Sequence, residues 1–271
     1  MCAAGTPTVV VLIAGHSIEL SRAKSACDSI LFALLPSEFG GDAIVDTLLG
    51  KFSPAGRLPV TFYDHSIMKT RDAVDMKLRT GSGITYQHYR GNPLWEFGFG
   101  LSYSAFSFGW AKAVDGDSVA ASAVVSGATS LVYTVNVTNV GQRAAGVAVL
   151  AFVNGTTTAA DSDGTSDVPQ EDFVSPPIRE LFNFTRIWLG VGQSEMVELA
   201  MEPEILANTD ARGVQAVRAG AYTVAIGGVG RAGRVEDGAV VAPLAVHGGD
   251  AELFSMPKLR ERHAKTSGQP L

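Results

Sequence analysis

The sequence predicts an α/β segment over residues 1–104, followed by an all-β segment of the immunoglobulin-like sandwich type. Three observations support this division. A continuous apolar run begins at Thr8, an amphipathic helical stretch begins at Gly41, and short alternating stretches separated by turns fill the chain from Leu131 onward. Continuous apolar runs are typical of buried parallel strands, whereas alternation is typical of sandwich strands.

In the α/β segment, Thr8–Ala14 and Ile30–Leu35 are the two predicted strands. Ser21–Asp28 predicts a short helix between them, and Gly41–Leu49 predicts a second helix, with Gly50 where a helix commonly ends. A strand such as TVVVLIA needs neighbouring strands on both sides and helices on both faces. Because these partners are too few here, the segment is expected to be the trailing piece of a larger α/β sandwich domain, completed by further sequence or by another chain.

The all-β segment is predicted over residues 105–246. Its predicted strands share short length, apolar alternation and flanking turn residues: Leu131–Val137, Val147–Val153, Leu181–Leu189, Met196–Met201 and Ala221–Ile226. The stretch 154–177 carries five acidic residues and no basic residue, which predicts a solvated insertion. The tail 247–271 has few apolar residues and is expected to be poorly ordered.

Composition excludes several classes of protein. Of the 271 residues, 46% are apolar and 18% are charged, which suits folded domains, and the net charge of −6 argues against nucleic-acid partners. No apolar run reaches the roughly 18 residues of a membrane span, and the first residues do not resemble a leader peptide. Cys2 and Cys27 are too few for a disulfide scaffold or a cysteine zinc cluster, so we expect two unpaired thiols.

Several short motifs resemble functional sites but lack part of the pattern that each site needs. Gly15–Ser17 follows a strand like a serine nucleophile elbow, but Glu19 replaces the second glycine. Gly228–Gly233 matches a dinucleotide-binding pattern without the helix that should follow it. Asp161, Asp163 and Asp167 lack the other positions of a calcium loop, and the histidines lack metal-ligand spacing. We therefore predict no catalytic, cofactor-binding or metal-binding residue in the chain.

Three sequons make Asn136, Asn154 and Asn183 candidate N-glycosylation sites. They have meaning only if the chain passes through the secretory pathway. Such three-residue matches are common by chance, so no further function is inferred from them.

Three ordered motifs resemble glycoside hydrolase family 3. The run Pro36–Gly50 is similar to its P-G-[QE]-x-G-G-x-A-I-A-D-V-L-x-G pattern, Pro54–Tyr63 to P-x-G-[RK]-L-P-x-T-x-Y, and Phe97–Tyr103 to F-G-[YF]-G-L-S-Y. Asp75–Arg79 resembles the D-M-x-M-R of the β-xylosidase branch. The later segment is similar to the fibronectin type III-like domain of the family, notably at Val137–Gly141.

The resemblance implies a retaining glycosidase with an aspartate nucleophile and a carboxylic acid/base. In the family the nucleophile lies on an N-terminal barrel domain and the acid/base lies ahead of the matching segment, so neither maps to a residue here. The implied function is the C-terminal region of a β-xylosidase-like hydrolase acting on O-glycosyl bonds of plant-type polysaccharides or oligosaccharides. The alternative is a non-catalytic module that associates with carbohydrate or with another protein. The resemblance implies an extracellular location and no cofactor.

The sequence departs from the family pattern at three positions. The family has G-R-T-Y-R where this chain has Gly83–Gln87, so Ile84 and Gln87 replace two arginines that usually form paired hydrogen bonds. Ser37 replaces a glycine, which predicts local strain if its φ is positive. Phe97–Tyr103 carries three aromatic residues where composition changes, so we predict that it fixes the sandwich against the α/β segment.

Overall fold

The computed structural model describes residues 5–72, 74–112, 117–155, 177–209, 213–227 and 239–255. The strands, in chain order, are β1 Val9–Ile13, β2 Ser29–Leu34, β3 Phe106–Trp110, β4 Asp117–Ala120, β5 Leu131–Asn139, β6 Ala145–Gly155, β7 Glu180–Leu189, β8 Ser194–Met201, β9 Ala207–Thr209, β10 Val214–Val217, β11 Gly220–Gly227, β12 Val240–His247 and β13 Ala251–Ser255. The helices are α1 Ser21–Ala26, α2 Gly40–Leu48, α3 Ile67–Thr70, α4 Thr85–His88 and α5 Ala121–Val125, with a 3-10 turn at Pro203–Leu206.

The first part of the fold is a small α/β unit built on two parallel strands. β1 pairs with β2 from Val9↔Ser29 onward, and α1 supplies the crossover between them. Among the described residues this sheet has only two strands. The alternate β1 side chains Val9, Val11 and Ile13 are 45%, 37% and 57% exposed. The apolar strand is therefore present as predicted, but one of its faces is uncovered.

Helix α2 begins just after a tight turn that contains the predicted strained residue. Ser37 has φ +59, in the left-handed region that favours glycine, so the strain expected from the replaced glycine is confirmed. A Cβ at Gly40 would lie 2.3 Å from Pro36 Cβ, which explains the glycine at the start of the helix. Gly50, at φ +69, follows the helix end as expected.

The second part is a β-sandwich. One sheet has the order β4-β12-β11-β6-β7, in which only β4 and β12 are parallel, and the facing sheet has the order β3-β5-β8. A third, small sheet has the order β13-β10-β9. The core of the sandwich lies between the two large sheets and is formed by alternate residues of both, including Val135, Val137, Val149, Leu199 and Ile226. The predicted sequence of α/β followed by all-β is confirmed.

Strand β6 is buried on both of its faces, unlike an ordinary sandwich strand. Val147 and Val149 point into the sandwich core. Leu150 and Phe152 point the other way, into a second cluster that includes Phe97 of the α/β part. The α/β part therefore covers the outer side of β6, which is why the burial pattern of this strand is almost continuous.

The structure corrects two expectations. Residues 251–255 of the tail form β13, which pairs antiparallel with β10, so the prediction of a poorly ordered tail from residue 247 is wrong for them. Residues 256–271 lie outside the described residues, as does most of the predicted insertion 154–177. Cys27 is disulfide-bonded, so the prediction of unpaired thiols is wrong for that residue.

No helix in the described part of the chain has the length and apolar character needed to cross a membrane.

Candidate functional site: the junction between the two parts

The junction is centred on a cluster of aromatic side chains from both parts of the chain. Phe97 stacks on Tyr86 of α4 with ring centroids 4.3 Å apart and planes 20° apart. Both rings meet Phe152 of β6 edge-on at 6.2 Å. Leu150 and Leu181 complete the cluster. This contact confirms, at Phe97, the sequence prediction that Phe97–Tyr103 fixes the sandwich against the α/β part.

A buried ion pair lies beside this cluster. Arg179 Nη2 donates to Glu96 Oε2 at 2.8 Å, and their side chains are only 12% and 8% exposed. The guanidinium carbon of Arg179 also lies 5.5 Å from the centre of the Phe152 ring. Because both side chains are largely buried, breaking this pair is far more destabilising than loss of an exposed ion pair.

A second polar contact is made by Gln87, which stands where the family pattern has an arginine. Gln87 Nε2 donates to Glu180 Oε1 at 3.4 Å, and the backbone N–H of Ile178 donates to Gln87 O at 2.8 Å. Burial raises the pKa of Glu180. The loop is nevertheless packed without the two arginines, because Ile84 N donates to Leu78 O and α4 continues directly into the aromatic cluster.

Asn139 connects the junction to the sandwich through its side-chain amide. It is fully buried, and its Nδ2 donates to Arg143 O at 2.7 Å and Leu189 O at 3.0 Å. Its Oδ1 accepts from Ser104 Oγ at 2.7 Å and from Gly141 N at 3.1 Å. All four hydrogen-bonding positions are used, so this residue links three segments of the chain: the stretch around Ser104, the turn 141–143 and the end of β7.

The C-terminal end of α2 is held by groups from the junction and the sandwich. Arg143 Nη1 donates to Gly50 O at 2.7 Å, and the Tyr103 hydroxyl donates to Thr47 O at 3.1 Å. A cation at this end also complements the negative pole of the helix. The α/β part is thus attached to the sandwich by a helix end as well as by the aromatic cluster.

The glycine at the centre of the junction motif is required by packing. A Cβ at Gly100 would lie 2.6 Å from Gly56 O, and Arg57 Nη1 donates to Gly100 O. Phe99 lies beside this contact and its carbonyl accepts from Leu58 N at 2.8 Å. The backbones of the two motifs Pro54–Tyr63 and Phe97–Tyr103 therefore pack against each other.

The three sequon asparagines all lie in strands rather than in loops. Asn136 is in β5, Asn154 in β6 and Asn183 in β7, and each is half-buried. Asn183 Nδ2 donates to Ala200 O at 2.8 Å, and Asn154 Oδ1 is buried without a hydrogen-bond partner. The structure does not bring the three asparagines together, and their glycosylation stays a prediction.

The remaining motifs gain no support. After Ser17 the chain does not enter a helix until Ser21, and His16 Nδ1 contacts only the adjacent Ser17 carbonyl among its hydrogen bonds in the described structure. The glycine run at 228–233 and the acids at 161–167 lie outside the described residues. Within the described ranges no three His, Cys, Asp or Glu side chains are grouped so as to hold a metal ion.

Comparison with known families agrees with the motifs at the junction. Residues 1–103 match the glycosyl hydrolase family 3 C-terminal domain, and residues 167–229 match the fibronectin type III-like domain. The chain belongs to the C-terminal region of glycoside hydrolase family 3. The first match lies in the α/β part and the second lies in the sandwich.

Curated relatives of this family 3 region are named as xylosidases. A probable exo-1,4-beta-xylosidase bxlB of Aspergillus oryzae is 34% identical over 233 residues, which is 81% of this chain and 28% of the relative. A probable exo-1,4-beta-xylosidase xlnD of Aspergillus clavatus is 30% identical over 93% of this chain and 31% of its own length. The chain thus spans about a third or less of the length of these relatives.

Solved structures resemble the whole described fold. A family 3 exo-beta-xylosidase, XlnD, solved with a xylobiose aziridine activity-based probe, has a TM-score of 0.80 and 26% identity over 96% of this chain and 33% of its own. A beta-glucosidase from Listeria innocua has a TM-score of 0.65 at 19% identity over 90% of this chain and 31% of its own, which shows a shared fold only.

Proposed function

We propose that this chain is the C-terminal region of a β-xylosidase-like glycoside hydrolase that acts on O-glycosyl bonds of plant-type polysaccharides or oligosaccharides. In this proposal the nucleophile and the acid/base are supplied by preceding sequence or by another chain, and the barrel domain that the resemblance implies is the partner. The chain itself supplies part of the α/β domain and the sandwich that supports it.

The observation that carries the proposal is the uncovered apolar face of the α/β part. β1 and β2 form a two-stranded sheet within the described residues, and alternate valines of β1 face solvent. Val45 and Leu48 of α2 and the following Leu49 are also exposed. Exposed surface of this kind on a parallel sheet is normally buried by neighbouring strands and helices. The relatives named as xylosidases extend well beyond the region that this chain matches.

A chimera tests this function. The purified chain alone is expected to leave 4-nitrophenyl β-xyloside intact, because a retaining glycosidase needs both carboxylates. Fusing the N-terminal part of the Aspergillus oryzae relative, cut where the match begins, to this chain is expected to give hydrolysis. The same part fused to residues 105–255 alone is the control and should be inactive.

Two results would contradict the proposal. One is β-xyloside turnover by the isolated chain that survives further purification. The other is a soluble, folded chimera with no activity toward β-xylosides while the intact relative, assayed beside it, is active.

A non-catalytic carbohydrate-associated module is the second candidate, and one observation favours it. Phe184 and Trp188 lie four residues apart on the same face of β7 and are 68% and 56% exposed. Aromatic rings of this kind commonly contact apolar faces of ligands. Retention of the chain on insoluble xylan, lost in Trp188→Ala but kept in Met196→Ala, would favour this function.

The compartment is also a proposal. Cys27 is disulfide-bonded, and persistent disulfides are typical of secreted proteins. We infer an oxidising, extracellular environment, in agreement with the resemblance. Mass measurement of the protein secreted from a eukaryotic host, with and without reductant, tests this directly.

A further inference from the structure

The stretch 65–90 has a charge opposite to that of the rest of the chain. It carries five basic and two acidic residues, which are Lys69, Arg71, Lys77, Arg79 and Arg90 against Asp72 and Asp75. With histidine counted as neutral, its net charge is +3, within a chain whose total is −6. An anion that approaches the chain is therefore attracted to this stretch and repelled by the remainder.

One of these basic residues is used to build the loop that carries the others. Arg71 Nη2 donates to Asp75 O at 2.6 Å and also to Lys77 O, and Arg71 Nη1 donates to Thr80 O at 3.3 Å. The Arg71 side chain is only 10% exposed and is paired with the Asp75 carboxylate at 3.8 Å. This arginine is therefore a support for the loop that contains Arg79 and is not available to a ligand.

The loop returns to the end of helix α4 through backbone contacts. Arg90 N donates to Ser82 O at 2.8 Å. A Cβ at Gly83, whose φ is +73, would lie 2.1 Å from His88 O, so the two segments pack directly on each other. Arg79 precedes Ser82 by three residues in this loop. The fold thus brings Arg79, His88 and Arg90 together.

The surroundings of His88 contain two positive charges without a counter-ion. Burial, together with the nearby guanidinium groups of Arg79 and Arg90, lowers the pKa of His88 below its ordinary value of 6.5. Among the described residues, no carboxylate offsets these charges around His88. Both arginine side chains are exposed, and within the described ranges neither makes a hydrogen bond or an ion pair. A bound anion would relieve this repulsion.

The three side chains together favour one class of anion. Guanidinium groups only donate hydrogen bonds, and their planar forks match pairs of oxygen atoms on an oxyanion. The protonated imidazole of His88 is a third donor. Three separate donor groups suit an anion with three or four oxygen atoms better than a carboxylate, which has two. A metal cation would be repelled by both arginines.

We propose that Arg79, His88 and Arg90 form a binding site for a tetrahedral oxyanion, phosphate or sulfate. His88, at 9% exposed, forms the floor of this site, and the two exposed arginines contact the anion from the solvent side. The loop that Arg71 supports holds Arg79 in place for this contact. Binding at this site is expected whether or not the chain forms part of a hydrolase.

The test titrates the purified 271-residue chain with sodium sulfate and follows the imidazole signals of His88 by NMR. These signals should shift saturably, with a dissociation constant on the order of 1–10 mM, as expected for so few ligand atoms. The negative charge of the bound ion should also raise the pKa of His88 toward 6.5 or above. Sodium chloride at equal ionic strength should produce neither effect, because chloride cannot bridge the forks.

A second pair of probes distinguishes a free ion from a phosphate group on a larger molecule. Inorganic phosphate and phenyl phosphate are compared at pH 8, where both are dianions. Tighter binding of phenyl phosphate would assign the site to a phosphate ester, and tighter binding of inorganic phosphate would assign it to the free ion. Either result supports an oxyanion site.

Arg79→Gln and Arg90→Gln separate binding from structure. Each removes an exposed charge that has no partner in the described structure, so the denaturation midpoint should not change. Sulfate binding should weaken about fivefold or more, the loss expected for a hydrogen bond between charged groups. Without sulfate, the pKa of His88 should be higher in each variant, because one nearby positive charge is gone.

Arg186→Gln is the matched control. Arg186 belongs to the sandwich strand β7, and its guanidinium has no ion pair within the part of the chain that the structure describes. Its removal lowers the net charge by the same amount as the other two changes. Sulfate binding and the pKa of His88 should both stay as in the wild type.

Three outcomes would overturn the proposal. The first is the absence of a saturable shift of the His88 signals up to high millimolar sulfate. The second is an equal response to chloride at the same ionic strength, which would mean general screening of charge. The third is a loss of sulfate binding in Arg186→Gln as large as the loss in Arg79→Gln and Arg90→Gln.

Discussion

At the scale of single residues, Gly100 is fixed by the approach of another backbone. A Cβ there would lie 2.6 Å from Gly56 O, and a carbonyl oxygen cannot rotate away as a side chain can. We expect Gly100→Ala to lower the free energy of unfolding by about 1–3 kcal/mol. Chemical denaturation measures this. Gly41→Ala is the control, since its Cβ would have open space in α2, and a loss of stability no larger than in that control would disprove the steric explanation.

Ser37 presents the opposite case, a residue whose backbone angle suits glycine. Its φ of +59 lies in the left-handed region. Ser37→Gly removes that strain but also makes the unfolded chain more flexible, so we expect a net gain of up to about 1 kcal/mol. The denaturation midpoint should rise. A fall would mean that the serine makes a compensating contact that outweighs the backbone strain.

The sequons differ in how well the folded structure tolerates a glycan. Asn183 Nδ2 is used in a hydrogen bond to β8, and the Asn154 amide lines a cavity, whereas Asn136 lies on the outer face of β5 beside the exposed Met196. In a secreting eukaryotic host we expect the folded product to carry glycan at Asn136 and to lack it at the other two. Peptide mapping after endoglycosidase treatment measures occupancy, and a folded product modified at Asn183 would contradict this.

At the scale of elements, the start of β7 carries a carboxylate that is destabilising when charged. Burial raises the pKa of Glu180 above its ordinary value of 4.5. The folded state thus binds the proton of the Glu180 carboxyl group more tightly than the unfolded chain does. The stabilisation that results is complete below pH 4.5 and disappears as pH rises through the raised pKa. Relative to Glu180→Gln, the wild type should therefore lose stability between pH 4 and 7 in urea denaturation.

Gln87→Arg tests the same contact from α4. Gln87 Nε2 lies 3.4 Å from Glu180 Oε1, and an arginine there restores the residue type of the family pattern. An opposing charge should lower the pKa of Glu180 and reduce the loss of stability at neutral pH. In the Glu180→Gln background, Gln87→Arg should give no gain in stability at neutral pH. A gain of the same size in both backgrounds would show that the arginine acts elsewhere.

The elements also show what sequence could and could not predict. β1 and β2 follow from continuous apolar runs, α2 follows from the helical spacing of its apolar residues, and β5 and β8 follow from alternation that matches their alternating burial. β4 and β13 have four and five residues and are held by distant partners, β12 and β10, so no local pattern marks them. At the junction, Phe97 could be found from its aromatic neighbours. Arg179 could not, because its partner Glu96 is brought to it only by the docking of the two parts.

At the scale of the whole molecule, the two parts should differ in independence. The sandwich has its own core, whereas the α/β sheet exposes one face. We propose that the sandwich unit runs to residue 255 rather than 246, since β13 pairs with β10. Residues 105–255 should give a dispersed NMR spectrum alone, 105–246 should be less stable, and 1–104 should not fold. A dispersed spectrum from 1–104 would contradict this view of the molecule.

The free edge of β1 should make the isolated chain prone to self-association. Within the described residues β1 has a partner strand only in β2, so the N–H and C=O groups along its other edge are available to a second chain. An unprotected, valine-rich edge beside exposed apolar side chains is a template for intermolecular strand addition. The isolated chain should therefore self-associate as its concentration rises, and Val11→Lys, which places a charge on that strand, should restore a monodisperse solution.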